Sequence, residues 1–321
     1  MKHVVLSQVL SSIALFLFVT NGMLSAQQNT TYHQARLDHP DWVQVPGELI
    51  RPDCVHEIPN GATVEVGGDG QISGDVMLNG ILFAHYEECP EAPIITRPLG
   101  ENNGLAHDPG TGNGWVEASN WLVSLGSGDN LDEIAGNWNV PSDPKVNGAL
   151  IYLFNGMEPS TFKWILQPVL QYGTSPAGGG NFWGIASWLV GSKAYHSPLE
   201  TVNPKDALRG YTRITSVSGG TIHWKVYAKD NTTGAFSYLN AHSSGLQWTW
   251  ALAGVLEVYG VTSCSEFPSN GEAVFTKSDA YHGYPKFDLL TPPAWTASYW
   301  SYGGPSCGFT VNPGTTSTLH F

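Results

Sequence analysis

The chain has 321 residues, with 27 acidic against 14 basic side chains and a formal net charge of −13 at neutral pH. So acidic a surface argues against nucleic acid and anionic lipid as partners, and it suits work at low pH, where carboxylates protonate and repulsion falls. With 37 Gly, 21 Pro, 12% aromatic residues and only 13% charge, the composition predicts an all-β chain of many short strands and tight turns.

Residues 1–26 read as a secretory signal. Lys2 and His3 precede an apolar core, Ile13-Ala14-Leu15-Phe16-Leu17-Phe18-Val19, and Ser25-Ala26 stand before Gln27. That core is short for a membrane span, and no later stretch is apolar for long enough. A secreted, extracellular monomer without stable membrane association is expected. The remainder is long enough for one large β domain and a smaller module.

Residues 27–40 are polar and expected to be unstructured. Residues 41–98 are compact, with Asp53-Cys54-Val55-His56-Glu57, a glycine-rich turn at Gly67-Gly68-Asp69-Gly70 and an apolar run Ile81-Leu82-Phe83-Ala84. Residues 27–98 are read as a small disulfide-containing N-terminal module, either a pro-segment that covers a site or an accessory domain. Residues 99–114, rich in Gly, Asn, Asp and Pro, form a linker. Residues 115–321 form the main domain.

Cys54, Cys89, Cys264 and Cys307 are an even set in an oxidising compartment, so disulfides are expected. Of the three possible connectivities, Cys54–Cys89 with Cys264–Cys307 keeps each bridge within one predicted unit. There is no CxxC and no HExxH, so neither a metal nor another cofactor is implied. Asn29 and Asn231 each open an Asn-Thr-Thr glycosylation sequon.

In the main domain Trp115–Leu125 alternates as a first strand, and Asp129–Ala135 reads as a polar turn or short helix. Ala149–Phe154 is apolar throughout. Phe162–Gly173, Phe182–Val190, Gln247–Val261, Glu272–Thr276, Phe287–Leu290, Ala297–Tyr302 and Thr316–Phe321 read as strands. Ala207–Ser216 and Thr221–Lys229 form a hairpin around Gly219-Gly220. Thr221, His223, Lys225 and Tyr227 alternate with Ile222, Trp224, Val226 and Ala228, so one face is wetted and one buried. There is no fixed-period repeat. A two-sheet antiparallel sandwich with one concave, solvated face accounts for the pattern.

Two strands carry polar residues in apolar surroundings. Ile165, Gln167, Val169 and Gln171 share one face of theirs, and an amide there must find partners. Glu257 is the one charge in Thr249–Val261. Burial raises the pKa of such a carboxyl and makes it a candidate acid or base. The bland readings are a satisfied structural amide and an ordinary ion pair.

Trp138-Asn139-Val140-Pro141, Ile165-Leu166-Gln167 and Val255-Leu256-Glu257 together resemble the ordered landmarks of the eqolisin-type glutamic peptidases, over residues 115–321. The resemblance implies a concanavalin-like jelly-roll sandwich and acid-acting endopeptidase activity. It implies Gln167 as oxyanion donor and Glu257 as general acid and base. Trp138, Tyr259, Gln171 and Trp183 are the expected substrate-binding residues. Three positions depart from the family pattern: Pro168 after the glutamine, Ser187 before Trp188, and Val258 after the glutamate. The expected partner is a polypeptide substrate. The alternative is a non-catalytic sandwich that binds a glycan or peptide on aromatic side chains such as Trp183, His223, Tyr227 and Tyr259.

Overall fold

The computed structural model describes residues 32–99, 111–126 and 128–321. The expected signal segment, Asn29 and most of the expected linker lie outside the described residues.

Two large sheets face each other as a β-sandwich. The first runs Thr296–Tyr299, Gly112–Leu122, Trp248–Val261, Leu150–Pro159, Ile165–Ser175, Gly178–Val190, Ala194–His196 and Val55–Glu57. The second runs Thr310–Asn312, Thr316–His320, Glu272–His282, Leu131–Asn139, Ala207–Ser218, Thr221–Asp230, Phe236–Ser244, Thr63–Val66, Ile72–Leu78 and Ile81–His85. The sheets are mixed, not purely antiparallel. Val55–Glu57 pairs parallel to Ala194–His196, and Thr63–Val66 pairs parallel to Phe236–Ser244. Segments ahead of the main domain thus extend both sheets.

The cysteines pair Cys54–Cys89 and Cys264–Cys307. Asn231 is exposed in the turn after Thr221–Asp230.

Between the sheets Leu153, Leu170, Leu256 and Val258 of the first sheet meet Trp138, Leu208, Ala228 and Phe275 of the second. Nearby, Met157, Trp164, Leu166 and Leu189 meet Ile214, Trp224, Val226 and Leu239. The second sheet keeps its other face partly wetted. Along Thr221–Asp230 buried and half-buried residues alternate strictly, as its sequence pattern requires.

The first sheet behaves differently. Leu150–Pro159 is buried at every position, as are Ile165–Gly173 and Trp250–Tyr259. Its outer face holds Tyr152, Phe154, Val169, Trp188 and Val255, and Tyr32, Val45, Ile50 and Cys54 lie against it. That cover is a helix, Tyr32–Asp38, followed by a three-stranded sheet of Val43–Val45, Glu48–Ile50 and Ile94–Ile95. The expected solvated face is therefore corrected: residues 32–50 and 94–97, here called the arm, close it. Burial of apolar area drives this docking. Trp42 anchors the arm from behind, packed with Ala35 and Leu49.

Two further expectations are corrected. The polar stretch at 27–40 contains the helix Tyr32–Asp38. Residues 131–135 belong to the strand Leu131–Asn139, not to a turn or helix. Its acids read as loop residues but find partners there. The Tyr284 backbone N–H donates to Asp132 at 2.6 Å, and Glu133 pairs with Arg213 at 3.2 Å.

Candidate active site

The Gln167 strand Ile165–Ser175 and the Glu257 strand Trp248–Val261 flank a shared neighbour, Leu150–Pro159. Tyr152 is paired to Gln171 on one side and to Glu257 on the other. Glu257, Tyr152 and Gln171 therefore form one cross-strand row on the outer face. Gln167 lies four residues along from Gln171 and projects from the same face. The sheet thus brings the amide and the carboxyl to one side, with one strand between them.

Close packing fixes the Gln167 backbone. A methyl at Gly156 would come within 2.7 Å of the Leu166 carbonyl and 3.1 Å of Gln167 Cβ, so only glycine lets the strands approach this far. Pro168 sits mid-sheet without an N–H to give. The ladder accommodates it, because pairing stops at Met157–Leu166 and resumes at Phe154–Val169. The other two departures from the family pattern point away from this face. Ser187 donates to the Ser237 carbonyl of the second sheet at 3.0 Å. Val258 belongs to the core between the sheets.

Both site side chains have no exposed surface. The arm's hairpin covers them. Val45 pairs with Glu48, which leaves Pro46 and Gly47 as a two-residue turn at the tip. Gly47 has φ +88°, the left-handed backbone that suits the residue after proline in a tight turn. A side chain there would also meet Arg97 Cδ at 3.0 Å. Gln167 Nε2 donates to the Pro46 carbonyl at 3.2 Å, and the Gly47 N–H donates to Glu257 Oε1 at 2.7 Å. These two atoms belong to a single peptide unit. Its oxygen faces the amide and its nitrogen faces the carboxyl.

The amide oxygen Gln167 Oε1 and the second carboxyl oxygen Glu257 Oε2 have no partner within hydrogen-bond geometry among the described residues, although the Trp115 indole is near enough to act on the Glu257 carboxyl. The Tyr259 hydroxyl donates to Glu257 Oε1 and also shares a 2.7 Å hydrogen bond with Thr96. Burial pushes the Glu257 pKa up to about 7, opposed by the Tyr259 hydroxyl and the Gly47 N–H.

A second charged cluster closes the site's edge. Arg97 Nη1 donates to Glu48 Oε1 at 2.6 Å, Nε lies 3.2 Å from Glu158 Oε1, and Nη2 donates to the Phe162 carbonyl at 3.1 Å. All three charged side chains are buried. Burial raises Glu48 to about 7 and Glu158 to about 8, with Arg97 acting against it.

The expected substrate-binding residues divide. Tyr259 lies against Glu257, to which its hydroxyl donates. Gln171 is on the same face, but its amide donates to the carbonyls of Gly173 and Gly178, at 3.2 and 3.0 Å, and its oxygen accepts from Ser175. Trp138 packs on Phe275 between the sheets, and Trp183 packs there on Tyr172. Sequence reasoning missed Pro46, Gly47, Glu48, Thr96, Arg97, Tyr152 and Glu158. Two signals were present: the Pro-Gly dipeptide between short β-prone runs, and Glu158 as the lone charge at the end of an apolar strand.

No protein-family model matches the sequence, and no curated protein matches it. Among solved structures the chain is similar to scytalido-glutamic peptidase with a peptide-based transition state analog. Identity is 14% and the TM-score 0.47, over 65% of this chain and 98% of that one. It is likewise similar to SCP-B, a member of the eqolisin family of peptidases in complex with the tripeptide Ala-Ile-His. There identity is 15% and the TM-score 0.44, over 65% of this chain and 98% of that one.

Proposed function

We propose that this protein is a secreted, acid-acting endopeptidase in which Gln167 and Glu257 act together on a peptide bond. One observation carries the reading: Gln167 and Glu257 hold the carbonyl oxygen and the amide nitrogen of the same peptide unit, Pro46–Gly47. A water donating to Gln167 Oε1 and Glu257 Oε2 would satisfy both unpartnered oxygens. Glu257 takes a proton from that water as its oxygen attacks the carbonyl carbon. The Gln167 N–H stabilises the oxyanion, a task for a neutral donor. Glu257 then returns the proton to the leaving nitrogen, and the carbon–nitrogen bond breaks. Glutamine does not titrate, so one carboxyl performs both transfers. Tyr259 holds that carboxyl in place.

With the arm seated, no outside polypeptide reaches the pair, so activity on other proteins requires the arm to leave. Two disulfides agree with an oxidising compartment. No helix among the described residues is long and apolar enough to cross a membrane.

Lifting the arm removes the burial that raises Glu257, so the test is hydrolysis of denatured casein at about pH 3–4, near the reference carboxyl range. It compares the full chain and a Gly47→Val variant, each with and without Glu257→Gln. Valine at position 47 meets Arg97 and an unfavourable backbone angle, so it lifts the tip from the dyad. Gly47→Val is expected to cut casein, and adding Glu257→Gln is expected to abolish the cut. Casein left intact by the Gly47→Val variant, or cut equally well after Glu257→Gln, would end the dyad assignment.

A second reading rests on the outer face of the second sheet. Tyr211 and Tyr227 stack with centroids 5.1 Å apart, and Phe236 and Tyr238 stand beside them. A non-catalytic glycan-binding sandwich would use such a strip. It predicts saturable binding on a glycan array with no turnover of casein.

A further inference from the structure

We propose that the outer face of the second sheet binds an acidic polysaccharide, on the side of the sandwich away from Gln167 and Glu257. The site takes in the tyrosine strip named above, adds the charge of the ligand, and holds whether or not the dyad cuts peptides.

Basic residues gather here against the character of the chain, whose net charge is −13. The neighbouring strands Ala207–Ser218, Thr221–Asp230 and Phe236–Ser244 carry four of the 14 basic side chains, Arg209, Arg213, Lys225 and Lys229, and one of the 27 acidic ones, Asp230. Asp230 is occupied by its own turn, accepting from the Thr232 N–H at 2.7 Å and from the Thr233 hydroxyl. The acids nearest this face stand on flanking strands: Glu133 and Asp279 to one side, Glu65 to the other.

Side chains alternate along a strand, so Arg209, Tyr211 and Arg213 share the outer face with Lys225, Tyr227 and Lys229, and all six are half-buried. The register sets them in three rows. Tyr211, Tyr227 and Tyr238 lie side by side across the three strands. On one flank of that row Arg213 stands opposite Lys225, and on the other Arg209 stands opposite Lys229. Like charges directly opposite each other destabilise a sheet, and here the arrangement occurs twice. Arg213 has a counter-charge in Glu133 at 3.2 Å. Among the described residues no carboxylate lies within ion-pairing distance of Arg209, Lys225 or Lys229.

A polyanion supplies the missing counter-charges. The two cation pairs are four residues apart along their strands, about 13 Å. That is too far for a single carboxylate or sulfate and suits a chain that carries one after another. Arginine takes either group in a forked pair of hydrogen bonds. Between the cation pairs the tyrosine row offers phenolic hydroxyls, which both donate to and accept from sugar hydroxyls. Nucleic acid fits less well. Bases bind such strips by stacking on open ring faces, and these rings already engage one another and a lysine. Tyr211 stacks on Tyr227 at 5.1 Å, and the Lys225 ammonium lies 5.0 Å from the Tyr227 ring centroid and 4.3 Å from that of Tyr238.

The experiment titrates the full chain near neutral pH with four polymers: polygalacturonate, dextran sulfate, fully methyl-esterified polygalacturonate and polyuridylate. Uronates and all four cations are charged there. The expected result is saturable binding of one or both charged glycans that weakens as salt is added; which of the two binds tighter tells carboxylate from sulfate. Lys225→Gln combined with Lys229→Gln should weaken that binding roughly three- to thirtyfold, the scale of two surface ion pairs. Glu257→Gln should leave it unchanged. Four results would overturn the proposal: no binding of either charged glycan, equal binding of the methyl ester, tighter binding of polyuridylate than of both glycans, or an affinity indifferent to the two lysine substitutions. Equal binding of the methyl ester would leave the neutral glycan strip standing, and none of the four bears on casein hydrolysis through Glu257.

Discussion

Arg97 Nε lies 3.2 Å from Glu158 Oε1, and this ion pair fastens the arm to the first sheet. Arg97 comes from the arm, Glu158 from the end of Leu150–Pro159, and Glu48 of the hairpin takes the guanidinium's other side. Arg97→Met should leave two buried carboxyl groups without their cation. Breaking such a cluster costs about 3–5 kcal/mol when the partners stay charged. Urea unfolding should show that loss near pH 8 and a smaller one near pH 5, where the two carboxyls can hold protons. An equal loss at both values would mean that the cost does not come from ionising the two carboxyls.

The buried acids set the direction of the stability profile. Burial raises Glu48 and Glu257 to about 7 and Glu117 and Glu158 to about 8. Each binds its proton more tightly folded than unfolded. Above those values the folded state must hold ionised groups it disfavours. That penalty is relieved as pH falls through about 8 to 7 and is gone near the ordinary carboxyl value. The melting temperature of the full chain should rise from pH 8.5 to pH 5. A steady fall over that range would contradict the assigned shifts.

Gly156 sets the distance between the Gln167 strand and its neighbour. Gly156→Ala would drive a methyl against the Leu166 carbonyl at 2.7 Å. Overpacking of this kind costs about 1–3 kcal/mol. The displacement falls on Gln167 itself, so the kcat for casein, measured in a Gly47→Val background, should drop with little change in KM. Full activity with unaltered stability would show that the strand yields freely.

Tyr259→Phe removes the hydroxyl that donates to Glu257 and bonds Thr96. A hydrogen bond to a charged group is worth about 1.5–3 kcal/mol. Casein hydrolysis, measured in a Gly47→Val background, should therefore slow by roughly ten- to a hundredfold. Quenched time courses read by mass would measure it.

Gln171 offers the contrast. It shares a cross-strand row with Glu257, yet its amide closes the Gly173–Gly178 turn. In a Gly47→Val background Gln171→Ala should lower stability by about 1 kcal/mol and leave casein hydrolysis near the rate of that background, whereas Gln167→Ala should suppress it. The reverse outcome would move the oxyanion role from Gln167 to Gln171.

Much of the sandwich was legible because its signals are local. The alternation of Thr221–Lys229 set one face in and one out, and the burial follows it. Glu257 and Gln167 stood out as polar residues in apolar strands, and they do project from one face. The arm was not legible. Its strands Val43–Val45 and Glu48–Ile50 have three residues each, too few for a period, and the sheet beneath holds them. Trp138 and Trp183 show the other limit. A tryptophan near a landmark residue reads the same whether it lines a groove or fills a core, and both fill the core. Leu131–Asn139 was obscured because Asp132 and Glu133 are satisfied by Tyr284 and Arg213, which lie far off in sequence.

The floor beneath the arm is oily. Tyr152, Phe154, Val169, Trp188 and Val255 pack directly with Tyr32, Val45 and Ile50. Stripped of its cover, that floor would face solvent as a contiguous greasy patch, and patches of this kind recruit whatever chain is nearest. The same surface that would grip an extended polypeptide would also make the uncovered protein adhesive, prone to clump with its own copies. With the cover seated, that floor stays out of solvent.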